Sequence, residues 1–132
     1  MPKTTVIFYA EADGSSPVFD FLQHLRERKE KAFAKCMIRL ERLEALGHEL
    51  RRPEADLLRD GIYELRIRLG TVNYRILYFF AGKQIAVVAH AITKEAEVPR
   101  REIDIAIERM TAFLSDPKTH SFAQPTEPDH DY

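Results

Sequence analysis

Cysteine is almost missing from this 132-residue chain: Cys36 stands alone, so no disulfide can form within it and nothing points to an oxidising compartment. No apolar run approaches the roughly 18 to 20 residues needed to cross a bilayer. The opening MPKTTVIFYAEADG shows no basic stretch leading into an apolar one, so the reading is a cytoplasmic protein with no membrane association. Also missing are Cys-x-x-Cys, His-Glu-x-x-His, a Gly-rich phosphate loop and a Gly-x-Ser-x-Gly elbow. Metal and P-loop chemistry are thereby disfavoured, and neither a metal nor a small-molecule cofactor is expected.

Net charge is nearly absent too, at -1, which would argue against a nucleic-acid partner if charge were evenly spread. It is not. Residues 116–132 carry Asp116, Glu127, Asp129 and Asp131 against Lys118, and the remaining 115 residues hold 19 basic and 17 acidic side chains. Between Glu64 and Arg101 seven basic residues face three acidic ones. The positive charge is therefore expected on the second half of the body.

A length of 132 residues with 45% hydrophobic composition supports one core. Lys3 to Ala10 is rich in β-branched and aromatic residues and reads as a strand. Ser16-Pro17 supplies a capping hydroxyl and a first-turn proline for a helix carrying Val18, Phe21, Leu22 and Leu25. From Glu30 to Leu46 the apolar residues Phe33, Cys36, Met37, Leu40, Leu43 and Leu46 form a second helical stripe, with Gly47 as its stop. Three strand-like runs follow, Ile62 to Leu69, Val72 to Phe80 and Gln84 to Ile92, then a helix opened by Pro99 and ended by Asp116-Pro117. The pattern predicts an α+β domain over residues 1–115: an N-terminal strand, a helical hairpin, an antiparallel three-strand meander and a C-terminal helix. Residues 116–132 read as an acidic, proline-containing, disordered tail.

Gly70-Thr71 suits a two-residue turn with glycine first, which pairs Arg66 with Arg75 and Arg68 with Asn73. The other face of this hairpin is nearly all apolar, so the arginine face should be the open one. A turn at Gly82-Lys83 would set Arg75 opposite His90 and Asn73 opposite Ile92; a loop one residue longer would turn His90 inward. Like charges opposite one another destabilise a sheet by about 0.2 to 1 kcal/mol, so the Arg66/Arg75 pair asks for an anion. A bound phosphate would supply one, because the planar arginine fork matches its oxygens. A neighbouring carboxylate such as Glu64, Glu95 or Glu102 would serve equally well. Lys94 leaves the last strand at the rim of this surface, and Arg100 and Arg101 occupy a first helical turn, where the helix dipole does not favour cations.

The texts Gly61-Ile-Tyr-Glu-Leu-Arg66, Asn73-Tyr-Arg-Ile-Leu-Tyr78, Val87-Val-Ala-His-Ala-Ile-Thr-Lys94 and Pro99-Arg-Arg-Glu-Ile103, in this order of elements, resemble the RelE/HigB superfamily of bacterial toxins, and within it the phage-derived HigB-like branch. The resemblance spans residues 3 to about 115. It implies the toxin of a type II toxin–antitoxin system, an endoribonuclease that cuts mRNA on the ribosome without metal, by attack of the RNA 2′-hydroxyl. It also implies a helix-turn-helix antitoxin as partner. Carried onto this chain, it makes Arg66, Arg75 and Lys94 catalytic, with Arg68, Asn73, His90, Arg100 and Arg101 binding substrate. The proton acceptor stays open among Lys94, His90 and Tyr78. Such toxins are often more basic than this chain. Two other readings stand beside this one: a non-catalytic module that binds an antitoxin, and a ribonuclease that needs no ribosome.

Overall fold

The computed structural model describes residues 3–94, without the Lys94 side chain, and residues 97–123. Strand β1 (Thr5–Phe8) leads to helix α1 (Pro17–Arg28), whose N-cap Ser16 accepts the Phe19 N–H through its Oγ at 3.3 Å. Pro17 takes the first helical position, where a missing N–H costs nothing. A single residue, Lys29, separates α1 from α2 (Glu30–Leu46), so the two helices form the expected hairpin. They bury Val18, Leu22 and Leu25 of α1 with Ala32, Cys36, Leu40 and Leu43 of α2. Met37, expected in this stripe, lies at its margin and is exposed. Gly47 ends α2 at φ 52; a Cβ there would collide with Thr4 Oγ1, because the lead-in to β1 passes close by and the Thr4 N–H donates to Glu44 O at 2.8 Å.

Four strands follow where three were expected: β2 (Ala55–Arg59), β3 (Ile62–Leu69), β4 (Val72–Phe80) and β5 (Ile85–Lys94), ahead of helix α3 (Arg100–Ser115). The extra strand grows from the polar stretch that ends at Asp56. It pairs with β3 through the turn Asp60-Gly61, whose φ values of 53 and 84 are those of a two-residue Asp-Gly hairpin turn. Glu54, just before β2, ties this segment to α2: Arg42 donates to its two carboxylate oxygens at 2.9 and 2.8 Å, and Arg39 joins it. The Arg42 hydrogen bond leads in holding the Glu54 carboxyl down to about 2, with Arg39 adding to it against the cost of burial. The sheet order is β1-β5-β4-β3-β2, with β1 parallel to β5 and every other neighbour antiparallel.

The β3–β4 register is the expected one, from Leu69↔Val72 through Arg66↔Arg75 to Glu64↔Leu77. The β4–β5 register is not. Phe80 pairs with Ala86, and a bulge at Ala89 then shifts the ladder, so that Leu77 opposes His90, Arg75 opposes Ile92 and Asn73 opposes Lys94. Without the bulge Arg75 would face Ala91 and His90 would turn to the opposite side. The extra residue restores the parity and returns His90 to the arginine face, one pair further along.

Both faces of the sheet are covered, but unequally. Helices α1 and α2 bury Leu65, Ile67, Tyr74, Ile76, Tyr78 and Val88. Helix α3 lays Ile103, Ala106 and Phe113 over Ile62, Leu77, Phe79 and Val87. The arginine face is therefore open only at the end beyond α3, not along its whole length. The segment after α3 is also seated as far as Ala123, contrary to the expected disorder from Asp116. The Ala10 N–H donates to His120 O at 2.8 Å, the Phe122 N–H donates to Phe8 O at 2.8 Å, and the Phe122 ring packs 4.9 Å from that of Phe19. Proline content and charge concealed one aromatic anchor in this stretch. The rest of the tail, 124–132, lies outside the described residues. Among the described residues, no helix is long and apolar enough to cross a membrane.

Candidate functional site

Where α3 stops covering the sheet, a groove of about 670 Å³ opens between β2, β3, β4 and the start of α3. Its polar lining is four arginines, Arg52, Arg59, Arg66 and Arg75, against Asp56, Glu64 and Glu97; Leu58, Val98 and Ile103 form the apolar part. The two-residue turn at Gly70-Thr71, with Gly70 at φ 63, fixes Arg66 and Arg75 side by side across the strands.

Glu64 sits between them. Its Oε2 accepts from Arg66 Nε at 2.8 Å, and its Oε1 lies 3.1 Å from Arg75 Nε. The second contact is an ion pair without hydrogen-bond alignment, because the buried Arg75 Nε has no hydrogen-bond partner. The three side chains are unequally shielded: 5% exposed for Glu64, 14% for Arg75 and 35% for Arg66. Asp56 completes the cluster, accepting from Arg66 at 3.2 Å and from Arg52 at 2.9 Å. Burial opposes ionisation of Asp56, yet the Arg52 hydrogen bond, the Leu57 N–H and the charges of Arg52 and Arg66 hold its carboxyl below the ordinary range. The arginine pair thus has an internal counter-ion, the alternative to a bound phosphate that the sequence left open.

Of the other expected binding residues, none lines this groove. Arg68 folds back on the turn, donating from Nε to Gly70 O at 2.9 Å. Asn73 occupies the pair next to Arg66/Arg75, opposite Lys94 in backbone register. The Lys94 side chain lies outside the described residues. Arg100 and Arg101 are exposed on the first turn of α3, and Arg101 lies 3.4 Å from Glu102.

His90 belongs to a separate network beneath α3. Arginine can only donate, so Arg109, 3.0 Å from His90 Nδ1, fixes that nitrogen as an acceptor. Nε2 then carries the proton and donates to Glu102 Oε1 at 2.7 Å. Burial first, and then the Arg109 charge, push the His90 pKa below its ordinary 6.5 against the pull of Glu102. Arg109 also donates to Ala89 O at 2.8 Å, the carbonyl of the bulged residue. Both ring nitrogens of His90 are engaged, which argues against substrate contact or proton transfer there. Tyr78 is fully buried on the opposite face, with its phenol pushed well up by burial and by Tyr63. Cys36 is buried and its thiol is pushed up to about 12 by desolvation, as suits a core residue. Among the described residues, no group of three or more His, Cys, Asp or Glu side chains is placed to hold a metal ion.

Sequence reasoning missed Arg52, Asp56 and Arg59; Asp56 and Arg59 lie on β2 and Arg52 just before it. The signal that could have found them is Asp60-Gly61, a two-residue hairpin turn placed directly before the Ile62 strand.

These features define a small α+β protein whose helical hairpin backs a five-stranded sheet and whose other sheet face presents a paired-arginine groove. The phage-derived protein Gp49-like family (DUF891) matches residues 20–111, which span most of the helical hairpin, the four-strand meander and most of α3, and the chain belongs to that family. It is a family associated with the toxins of toxin–antitoxin pairs, which implies an antitoxin partner. No curated protein matches the sequence.

Proposed function

We propose that this chain is a toxin of the RelE/HigB type, an endoribonuclease that cuts mRNA in the ribosome and is held in check by a helix-turn-helix antitoxin. The observation that carries this reading is the Arg66/Arg75 pair lining a groove open to solvent, with Glu64 between them. A phosphodiester bound there would take over part of the role of Glu64 as counter-ion. The arginines would then stabilise the extra negative charge that develops on the phosphorus oxygens. The 2′-hydroxyl oxygen gives up its proton as it forms the new bond to phosphorus, the bond to the 5′-oxygen breaks and that oxygen takes up a proton, so the products are a 2′,3′-cyclic phosphate and a 5′-hydroxyl. No protein nucleophile is needed; positioning and charge stabilisation carry the rate. With His90 engaged at both nitrogens and Tyr78 buried, Lys94 is the proton-handling group of this reading.

A second reading, a module that binds an antitoxin without cutting RNA, is favoured by one observation: Glu64, with Asp56 on Arg66, already pairs with both arginines without any ligand. Mapping new RNA 5′ ends in a purified translation reaction, with and without ribosomes, separates the readings. Cuts confined to translated mRNA are expected, and Arg75→Ala should abolish them while leaving the circular dichroism spectrum unchanged. Cuts in both reactions would mean a ribonuclease independent of the ribosome. Antitoxin binding with no cuts in either would leave the binding module.

A further inference from the structure

Around the edge strand β2, on the side away from the arginine groove, lies a second hollow of about 610 Å³. Its wall is apolar, built of Leu50, Leu57 and Tyr63, and His48, Arg51 and Arg52 stand around it. Leu57 is 52% exposed, an apolar side chain left facing water on an edge strand. Tyr63 is stacked on Tyr78 at a centroid distance of 5.4 Å, which fixes the plane of its ring. Arg51 is anchored by one guanidinium nitrogen donating to His48 O and Leu50 O, so its charge stays at the hollow. The two hollows are not separate: Arg52 and Asp56 line both. Arg52 is 76% exposed and stands where one hollow passes into the other.

We infer that this hollow is a base-binding subsite for a nucleotide flanking the cleaved phosphodiester, with the RNA strand passing around β2 at Arg52. The inference rests on the ribonuclease reading. The size lies within the range of about 300–1,000 Å³ typical of small-ligand clefts. An aromatic and aliphatic wall beside arginines suits a base and its phosphate: the base lies on apolar surface while the cations meet the backbone charge. The occupant is set by two features. Arg51 and Arg52 outnumber Asp56, whose charge is already shared with Arg66, so the hollow favours an anionic ligand. Its continuity with the arginine groove then makes that ligand the same strand.

The test uses the full-length protein in the purified translation reaction, reading every cut site with its flanking bases. Because purines stack more strongly than pyrimidines, the expected result is a purine preference at one position beside the cut. Leu57→Ser should remove that preference, slowing purine-flanked sites about tenfold and pyrimidine-flanked sites by a smaller factor. A purely structural role for Leu57 would slow all sites alike and overturn the inference, as would an unbiased wild-type profile or a bias indifferent to Leu57→Ser. An unchanged profile with weakened antitoxin binding would overturn it in favour of a protein contact. If wild-type protein makes no cuts at all, the ribonuclease reading fails and the subsite fails with it; cuts without the bias leave that reading standing.

Discussion

Replacing Glu64 by Gln keeps the shape of the side chain and removes the one charge that separates Arg66 from Arg75. Breaking a buried ion pair by neutralising one partner costs about 3 to 5 kcal/mol, because the remaining charge is left uncompensated in a poorly solvated place. That figure applies best to Arg75, at 14% exposure; Arg66, at 35%, is screened by water and contributes less. The expected loss is about 2 to 4 kcal/mol, an order-of-magnitude figure on those grounds. For a domain of this length it lowers Tm by about 6 to 15 °C. The same substitution leaves Arg75 without its counter-ion and Arg66 with Asp56 alone at an open groove, so the variant should bind inorganic sulfate more tightly than the wild type. Thermal unfolding in sodium sulfate and in sodium chloride at equal ionic strength reads both effects. Sulfate is expected to recover a large part of the lost Tm in the variant and to move the wild type little; an anion at a hundred times its Kd stabilises by about 2.7 kcal/mol. An unchanged Tm in Glu64→Gln, or an equal sulfate effect on both proteins, would refute the view that Glu64 holds the place of a bound anion.

Two further outcomes follow from the same packing. His90 is held neutral in the fold, so its folded pKa lies below the unfolded value of about 6.5. The stability this contributes is complete above pH 6.5 and is lost as the pH falls through the lowered folded value. An NMR titration should place the His90 midpoint below 6.5, and Tm should fall less between pH 7 and pH 5 in His90→Gln than in the wild type; a midpoint at or above 6.5 would sink the assignment of its two hydrogen bonds. Gly47→Ala combines an unfavourable φ with a collision at Thr4 Oγ1 and should cost about 1 to 3 kcal/mol in chemical denaturation. Adding Thr4→Ala should return part of that loss by removing the obstructing hydroxyl, and full additivity of the two losses would contradict the contact.

What the sequence made legible was the part governed by local rules. Ser16-Pro17 opens α1, Gly47 ends α2, and Gly70-Thr71 sets a register in which each β3 residue meets the expected β4 partner. Period-2 alternation divided the hairpin into an apolar face and an arginine face because α1 and α2 cover only one of them completely. What stayed illegible depended on distant contacts. Strand β2 is short and half polar, with Asp56 and Arg59 on it, so its pairing with β3 had to compete with a loop reading, and Asp60-Gly61 was the only strong local sign of it. With β2 missing from the sequence reading, Asp56, Arg52 and Arg59 were missing from the groove as well.

The bulge at Ala89 shows why the last candidate could not be placed by counting. Loop length alone would have turned His90 to the hairpin-helix side, and one extra residue returned it to the arginine face. That residue is held by a partner twenty positions away: Arg109 of α3 binds the Ala89 carbonyl and His90 Nδ1 together. His90 in turn binds Glu102 in the first turn of the same helix. The helix thus grips the sheet at two points, seven residues apart, through one histidine. Val98 and Ile103, before and within that first turn, belong to the apolar part of the arginine groove, so the helix that holds His90 also lines the groove. A histidine that the sequence offers as a substrate ligand has both ring nitrogens bonded within the fold, to Glu102 and to Arg109.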